Sequence, residues 1–138
     1  MTTGDSKRVA DLLDRFVAST VGVEDALLVS ADGVGLAASD GLPDAVADQF
    51  GAVAAGLVSL TRGAARCFAE ERAKGVVIEL DQSYLLVSEV TERAVLGVVA
   101  RADADIGLLD YEMTLVADRL ARRLTPHLVA RLQNTLAV

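Results

Sequence analysis

The sequence of 138 residues contains one cysteine, one histidine, two prolines and no tryptophan. Cys67 alone permits no intrachain disulfide, and with His127 as the one histidine there is no His/Cys zinc cage. Basic charge is also short, with 13 Lys and Arg against 20 Asp and Glu, a net charge of −7 at pH 7. This argues against a sequence-independent nucleic-acid binder, because phosphate contacts need a basic footprint. An apolar leader core is missing: Met1–Asp14 is polar and charged, so no signal peptide is expected. The longest uncharged stretch in the apolar middle lies between Asp48 and Arg62, too short to span a bilayer. What is abundant is apolar surface. Hydrophobic residues make up 52% and mean hydropathy is +0.40, which excludes a disordered chain. The expectation is one soluble, cytoplasmic domain in a reducing compartment, with no direct membrane binding.

Periodicity divides the chain without low-complexity linkers. Val9, Leu12, Leu13, Phe16 and Val17 recur at three and four and predict a helix over Ser6–Thr20, capped by Asp5 or Ser6. Val23–Ser30 and Val34–Ser39 follow as two strands, and Asp32-Gly33 between them signals a hairpin. A second helix starts near Pro43, with Val46, Phe50, Val53, Leu57 and Leu60 as its expected core stripe. Its far side carries Ala52, Ala55 and Ser59 where charges would be usual, so a second cover, a subunit, is expected there. Three further strands, Gly75–Asp81, Tyr84–Val90 and Ala94–Ala100, are joined by short loops and so are antiparallel neighbours. Val76, Ile78 and Leu80 alternate with Val77, Glu79 and Asp81, the pattern of an edge strand with one wetter side. A last helix runs from Ile106, acidic at its start and arginine-rich at its end, and Pro126 separates it from a looser terminal helix. The order α-β-β-α-β-β-β-α predicts an α+β sandwich, a five-stranded antiparallel sheet with helices on both faces.

The motifs that suggest chemistry do not hold their register. Gly33-Val34-Gly35-Leu36-Ala37-Ala38 fits a loose dinucleotide pattern, but it continues as a strand and opens no helix onto a phosphate. Counting a calcium loop from Asp103 puts Gly107 at the fifth position and Leu108 at the sixth, out of register; a helix cap explains the acids better. His127 has no nucleophile elbow to serve. Cys67 reads as a small buried hydrophobe near a helix end. Arg62, Arg66 and Arg72 are weighed as arginine fingers, but arginines near a helix C-terminus are also what the dipole favours. No catalytic constellation, cofactor site or metal site is expected.

The apolar run Ala26–Ser30, the Ala31-Asp32-Gly33 turn and the second run Val34–Ala37 resemble the roadblock (dynein light chain) family. Gly75–Leu80 and Tyr84–Val90 stand where that family has its third and fourth strands. The resemblance delimits an N-terminal tail at 1–7, a roadblock domain at 8–125 and a C-terminal helical extension at 126–138. It is similar in particular to bacterial roadblock proteins encoded beside a Ras-like small GTPase, which include the mutual-gliding GTPase partner and the actinobacterial conservon proteins. It implies a profilin-like sandwich and a non-enzymatic homodimer that regulates or scaffolds such a GTPase. It extends to GTPase activation in a signalling complex with a sensor-kinase-like membrane protein, which would bring a cytoplasmic chain to the membrane. In such a dimer, second helices and third strands meet across a two-fold axis, which assigns Ala52, Ala55, Ser59, Val77 and Glu79 to the interface. Asp48, Arg62 and Arg66 are the candidate GTPase-contact residues. The alternative reading is a small-molecule-sensing sandwich. That needs a cavity with convergent polar groups, and the small-residue strands and 4% aromatic content offer little for one.

Overall fold

Asp32-Gly33 makes the tight turn its composition demands. Gly33 sits at φ 90, its N–H donates to the Ser30 carbonyl at 3.0 Å, and the Ser30 N–H donates to the Val34 carbonyl at 2.8 Å. The Ser30 hydroxyl accepts from the Val34 N–H at 3.0 Å and donates to Asp32. This turn joins β1 (Val23–Ser30) to β2 (Gly35–Ala38). The computed structural model describes residues 2–137. Its other elements are α1 (Thr2–Ser19), α2 (Asp44–Cys67), β3 (Val76–Glu79), β4 (Ser83–Thr91), β5 (Ala94–Arg101), α3 (Ile106–Arg123) and α4 (Pro126–Ala137).

The strands form one antiparallel sheet in the order β2-β1-β5-β4-β3. In register, Leu28 opposes Leu96 and Leu86 opposes Val98, so the apolar residues of three central strands stack in rows. Alternate residues point to opposite faces, and both faces are covered. Leu28, Leu86, Leu96 and Val98 pack under α1, α3 and α4 with Leu13, Leu109, Leu120 and Leu132. Leu27, Val29, Val87 and Val95 pack under α2 with Phe50, Ala54 and Val58. The sandwich predicted from strand periodicity is therefore the fold, and β3, with its alternating exposure, is an edge strand.

Three local expectations change. Helix α1 begins at Thr2, through the stretch that the sequence reads as a tail, so Ser6 lies inside the helix and does not cap it. Its buried hydroxyl has no partner among the described residues. Cys67 is exposed: as the last residue of α2 it stands seven residues after the exposed Leu60, on the same side of the helix. The terminal helix α4 is seated firmly: Leu128, Val129 and Leu132 are buried in the larger core. The acidic start of α3 is the cap expected of it, with Asp105 accepting from the Leu108 N–H at 3.1 Å.

Candidate interaction surface

Helix α2 is turned differently from its expected stripe. Its buried residues are Phe50, Gly51, Ala54 and Val58, whereas Val46 is 46% exposed, Val53 48% and Leu60 71%. Of the predicted core stripe, only Phe50 is buried and Leu57 partly so. The cause is close approach. A Cβ added at Gly51 would stand 3.0 Å from Val29 Cγ1 and 3.2 Å from the Gly33 carbonyl oxygen. The helix therefore comes close to the sheet at Gly51 and Ala54, with Phe50 and Val58 buried beside them. Phe50 enters because Gly97 on β5 leaves room for its ring: a Cβ there would meet Phe50 Cζ at 2.8 Å. The bulkier Val46, Val53 and Leu60, spaced by seven residues, form an outward ridge beside exposed Ala52 and Gly56. A reading by bulk alone assigns that ridge to the core; the signal that distinguishes the faces is the pair Gly51 and Ala54.

The candidate interface residues are placed as follows. Ala52 and Ser59 are exposed on α2, and Ala55 is half-buried. Ala52 and Ala55 flank the β1–β2 turn, since a Cβ at Gly33 would lie 3.5 Å from Ala52 Cα and 3.8 Å from Ala55 Cβ. The small size of Ala55 is thus used within the chain. Val77 is 51% exposed and Glu79 is exposed, both on the edge strand β3, whose partner on one side is β4.

Asp48, Arg62 and Arg66 share one side of α2 but not one site. At about 1.5 Å per residue, Asp48 stands roughly 21 Å from Arg62 along the axis. Asp48 lines a cleft of about 540 Å³ between the α2 N-terminus and β2, with Gly33, Val34, Ala37 and Asp44. Arg62 is engaged: it pairs with Glu89 on β4 and donates to the Glu92 carbonyl at 3.4 Å, tying α2 to the β4–β5 turn. Arg66 is exposed one turn further on. Arg62, Arg72 and Glu71 border a second, open cleft of about 600 Å³. Among the described residues no group of three or more His, Cys, Asp or Glu could hold a metal ion, and no helix is long and apolar enough to cross a membrane. What this surface presents is an apolar ridge, a strand edge, one ion pair and the exposed Asp48 and Arg66.

The Roadblock/LC7 domain matches residues 9–100 of the chain. Among solved structures, a Roadblock/LC7 domain from Streptomyces avermitilis is 32% identical, covering 82% of this chain and 94% of that one, with a TM-score of 0.77. The gliding protein MglB from Thermus thermophilus is 25% identical, covering 86% of this chain and 90% of that one, with a TM-score of 0.75. A profilin from Schizosaccharomyces pombe, at 16% identity and a TM-score of 0.61 over 82% of this chain and 96% of that one, shares the fold alone. No curated protein sequence matches the chain.

Proposed function

Because the chain belongs to the Roadblock/LC7 family, we propose that it is a non-enzymatic homodimer that regulates or scaffolds a Ras-like small GTPase. The observation that carries this reading is the outward ridge of Val46, Val53 and Leu60 on α2. A soluble domain rarely leaves a contiguous apolar ridge uncovered unless it is a contact surface. The unpaired outer edge of β3, bearing Val77 and Glu79, is a second such surface and supplies free main-chain donors and acceptors. An isologous contact uses both, with Ala52 and Ser59 at its margin and Ala55 behind it against its own turn. Residues 8–125 are the roadblock domain in this reading, and the extension 126–138 docks Leu128 and Leu132 into the same core.

The dimer acts by differential affinity. A platform that binds one arrangement of the GTPase switch loops shifts their equilibrium toward it, and needs no chemistry of its own. Arg62 is held by Glu89, which suits it to shaping the platform; Asp48 and Arg66, both exposed, remain for contact with the partner. Acceleration of GTP hydrolysis then comes from ordering the GTPase's own residues. Assembly with a sensor-kinase-like membrane protein would place this cytoplasmic chain at the membrane through the complex. Likeness to MglB and to the Streptomyces domain supports this reading.

The test is affinity purification of the tagged full chain from its own cells, divided between GTP-analogue and GDP buffers. A small GTPase retained preferentially in one nucleotide state is the expected result. Elution of the protein with itself alone in both buffers refutes the reading.

A further inference from the structure

The opposite side of the molecule carries a second apolar strip that neither the core nor α2 uses. On α3, Leu109, Met113, Val116 and Leu120 are buried, while Leu108 is 54% exposed, Tyr111 60% and Leu115 37%. Spacings of three and four put these three on one outward stripe. At its end stands the loop residue Val21, 83% exposed; its neighbour Gly22 abuts Ala104, just before α3 begins. Beside the stripe, α1 and α3 leave a small groove of about 80 Å³, lined by Leu12 and Phe16 and by Arg15, Glu112 and Arg119. Arg15 and Arg119 are both exposed, and among the described residues neither has an ion-pair partner. Arg122 and Arg123 continue the basic side beyond the groove, next to Arg8 of α1.

From this combination we propose that the α1–α3 groove docks an amphipathic helix of a partner protein, with an apolar stripe flanked by acidic side chains. Apolar side chains of that helix would cover Leu108, Tyr111 and Leu115, and its carboxylates would reach Arg15 and Arg119. The pairing is local. Asp11, Asp14, Asp110, Glu112 and Asp118 are interspersed on the same two helices, Glu112 in the groove lining itself, so a flat anionic membrane, which feels summed charge over about a Debye length of ~10 Å, is weakly attracted. A seated helix meets the two guanidiniums one at a time. In a chain of net charge −7, Arg15 and Arg119 are two exposed cations on this face that an acidic segment can pair with. The surface lies across the sheet from α2, so a homodimer through α2 leaves it open.

The experiment is fluorescence anisotropy on the full chain with two synthetic amphipathic helices of about five turns. They share one leucine stripe and differ in having Glu or Lys flanks. We expect the Glu-flanked helix to bind about tenfold more tightly at ~0.1 M salt, and the preference to vanish in the Arg15→Glu, Arg119→Glu variant. Leu108→Ser with Tyr111→Ser should weaken both helices by about tenfold. These positions are exposed, so a circular-dichroism melt should stay in place, and Val53→Ser on α2 should leave the preference intact. Equal affinity for the two helices overturns the proposal, as does a preference that survives the double charge reversal or is lost with Val53→Ser. Binding to phosphatidylglycerol vesicles that depends on Arg15 and Arg119, without discrimination between the peptides, overturns it in favour of a lipid surface.

Discussion

Leu60 offers the most direct perturbation of the α2 ridge. It is 71% exposed in the protomer, so shortening it removes almost nothing that the monomer's own fold relies on. Fully burying a leucine side chain is worth about 1.5–3 kcal/mol, so the uncovered part has roughly 1–2 kcal/mol to gain from a partner. A two-fold contact contains the residue twice, which brings the loss for Leu60→Ser to roughly 2–4 kcal/mol per dimer. At ~1.4 kcal/mol per decade this weakens dimerisation by between about 30-fold and several hundred-fold. Sedimentation equilibrium over a dilution series reads the constant directly. Chemical denaturation at a concentration where both proteins are monomeric should show stability within about 0.5 kcal/mol, as for other exposed sites. A dimer constant that moves by less than about threefold refutes the argument, because no reasonable area conversion allows so small an effect for a central contact. Ala55→Arg is a poorer probe: Ala55 packs beside the Gly33 turn of its own chain, so a monomer obtained that way could reflect a displaced hairpin.

Two further substitutions test the packing that turns α2 this way. Gly97→Ala puts a methyl group 2.8 Å from Phe50 Cζ and 3.1 Å from Cε2, and the overpacking should cost about 1–3 kcal/mol in urea denaturation; an unchanged midpoint would mean the ring moves freely. At the other end of α2, the Glu70 N–H donates to the Ala65 carbonyl at 2.9 Å and the Ala69 N–H to the Arg66 carbonyl at 3.2 Å, a Schellman closure. Ala69 is left at φ 55, where a side chain costs about 1–2 kcal/mol. Ala69→Gly should therefore raise stability by about 1 kcal/mol, with an unchanged denaturant slope.

The strands were legible because their boundaries are written in local chemistry. Asp32-Gly33 demands a tight turn, and the short joints at Gln82 and at Glu92-Arg93 permit only antiparallel neighbours. The wetter parity of Val77 and Glu79 marks β3 as an edge for the same reason: a strand's exposure pattern alternates with its sequence. The face of α2 was not legible in that way. A helix stripe is inferred from bulk, but burial here is decided by how near the helix axis comes to the sheet, which depends on Gly51 and Gly97 from two different elements. Cys67 goes the same way, since it lies two turns beyond Leu60 on that outward side of α2. Of the candidate site, edge residues Val77 and Glu79 were readable individually. Residue type alone assigns the ridge of Val46, Val53 and Leu60 to the core, because its residue types are those of a core.

The apolar exterior of α2 has a physical content of its own. Natural sheets blunt exposed edges with charge, bulges or cover, and exposed helix faces are usually polar. Here the β3 edge carries one such charge, Glu79, beside a half-exposed valine, and the helix on the neighbouring face shows two valines and a leucine, with glycine and alanine beside them where long charged side chains would ordinarily screen the ridge. Seating α2 through Gly51 and Ala54 also has a cost within the chain, since those two residues bury less apolar area than leucines would. In the proposed dimer a partner surface would recover that area. Small neighbours would let a second backbone come close enough for Val46, Val53 and Leu60 to interdigitate, and the strand edge would set the approach by hydrogen bonding. The same substitutions that would make α2 a better solvent face, charges at Val53 and Leu60, are therefore those that should abolish association first.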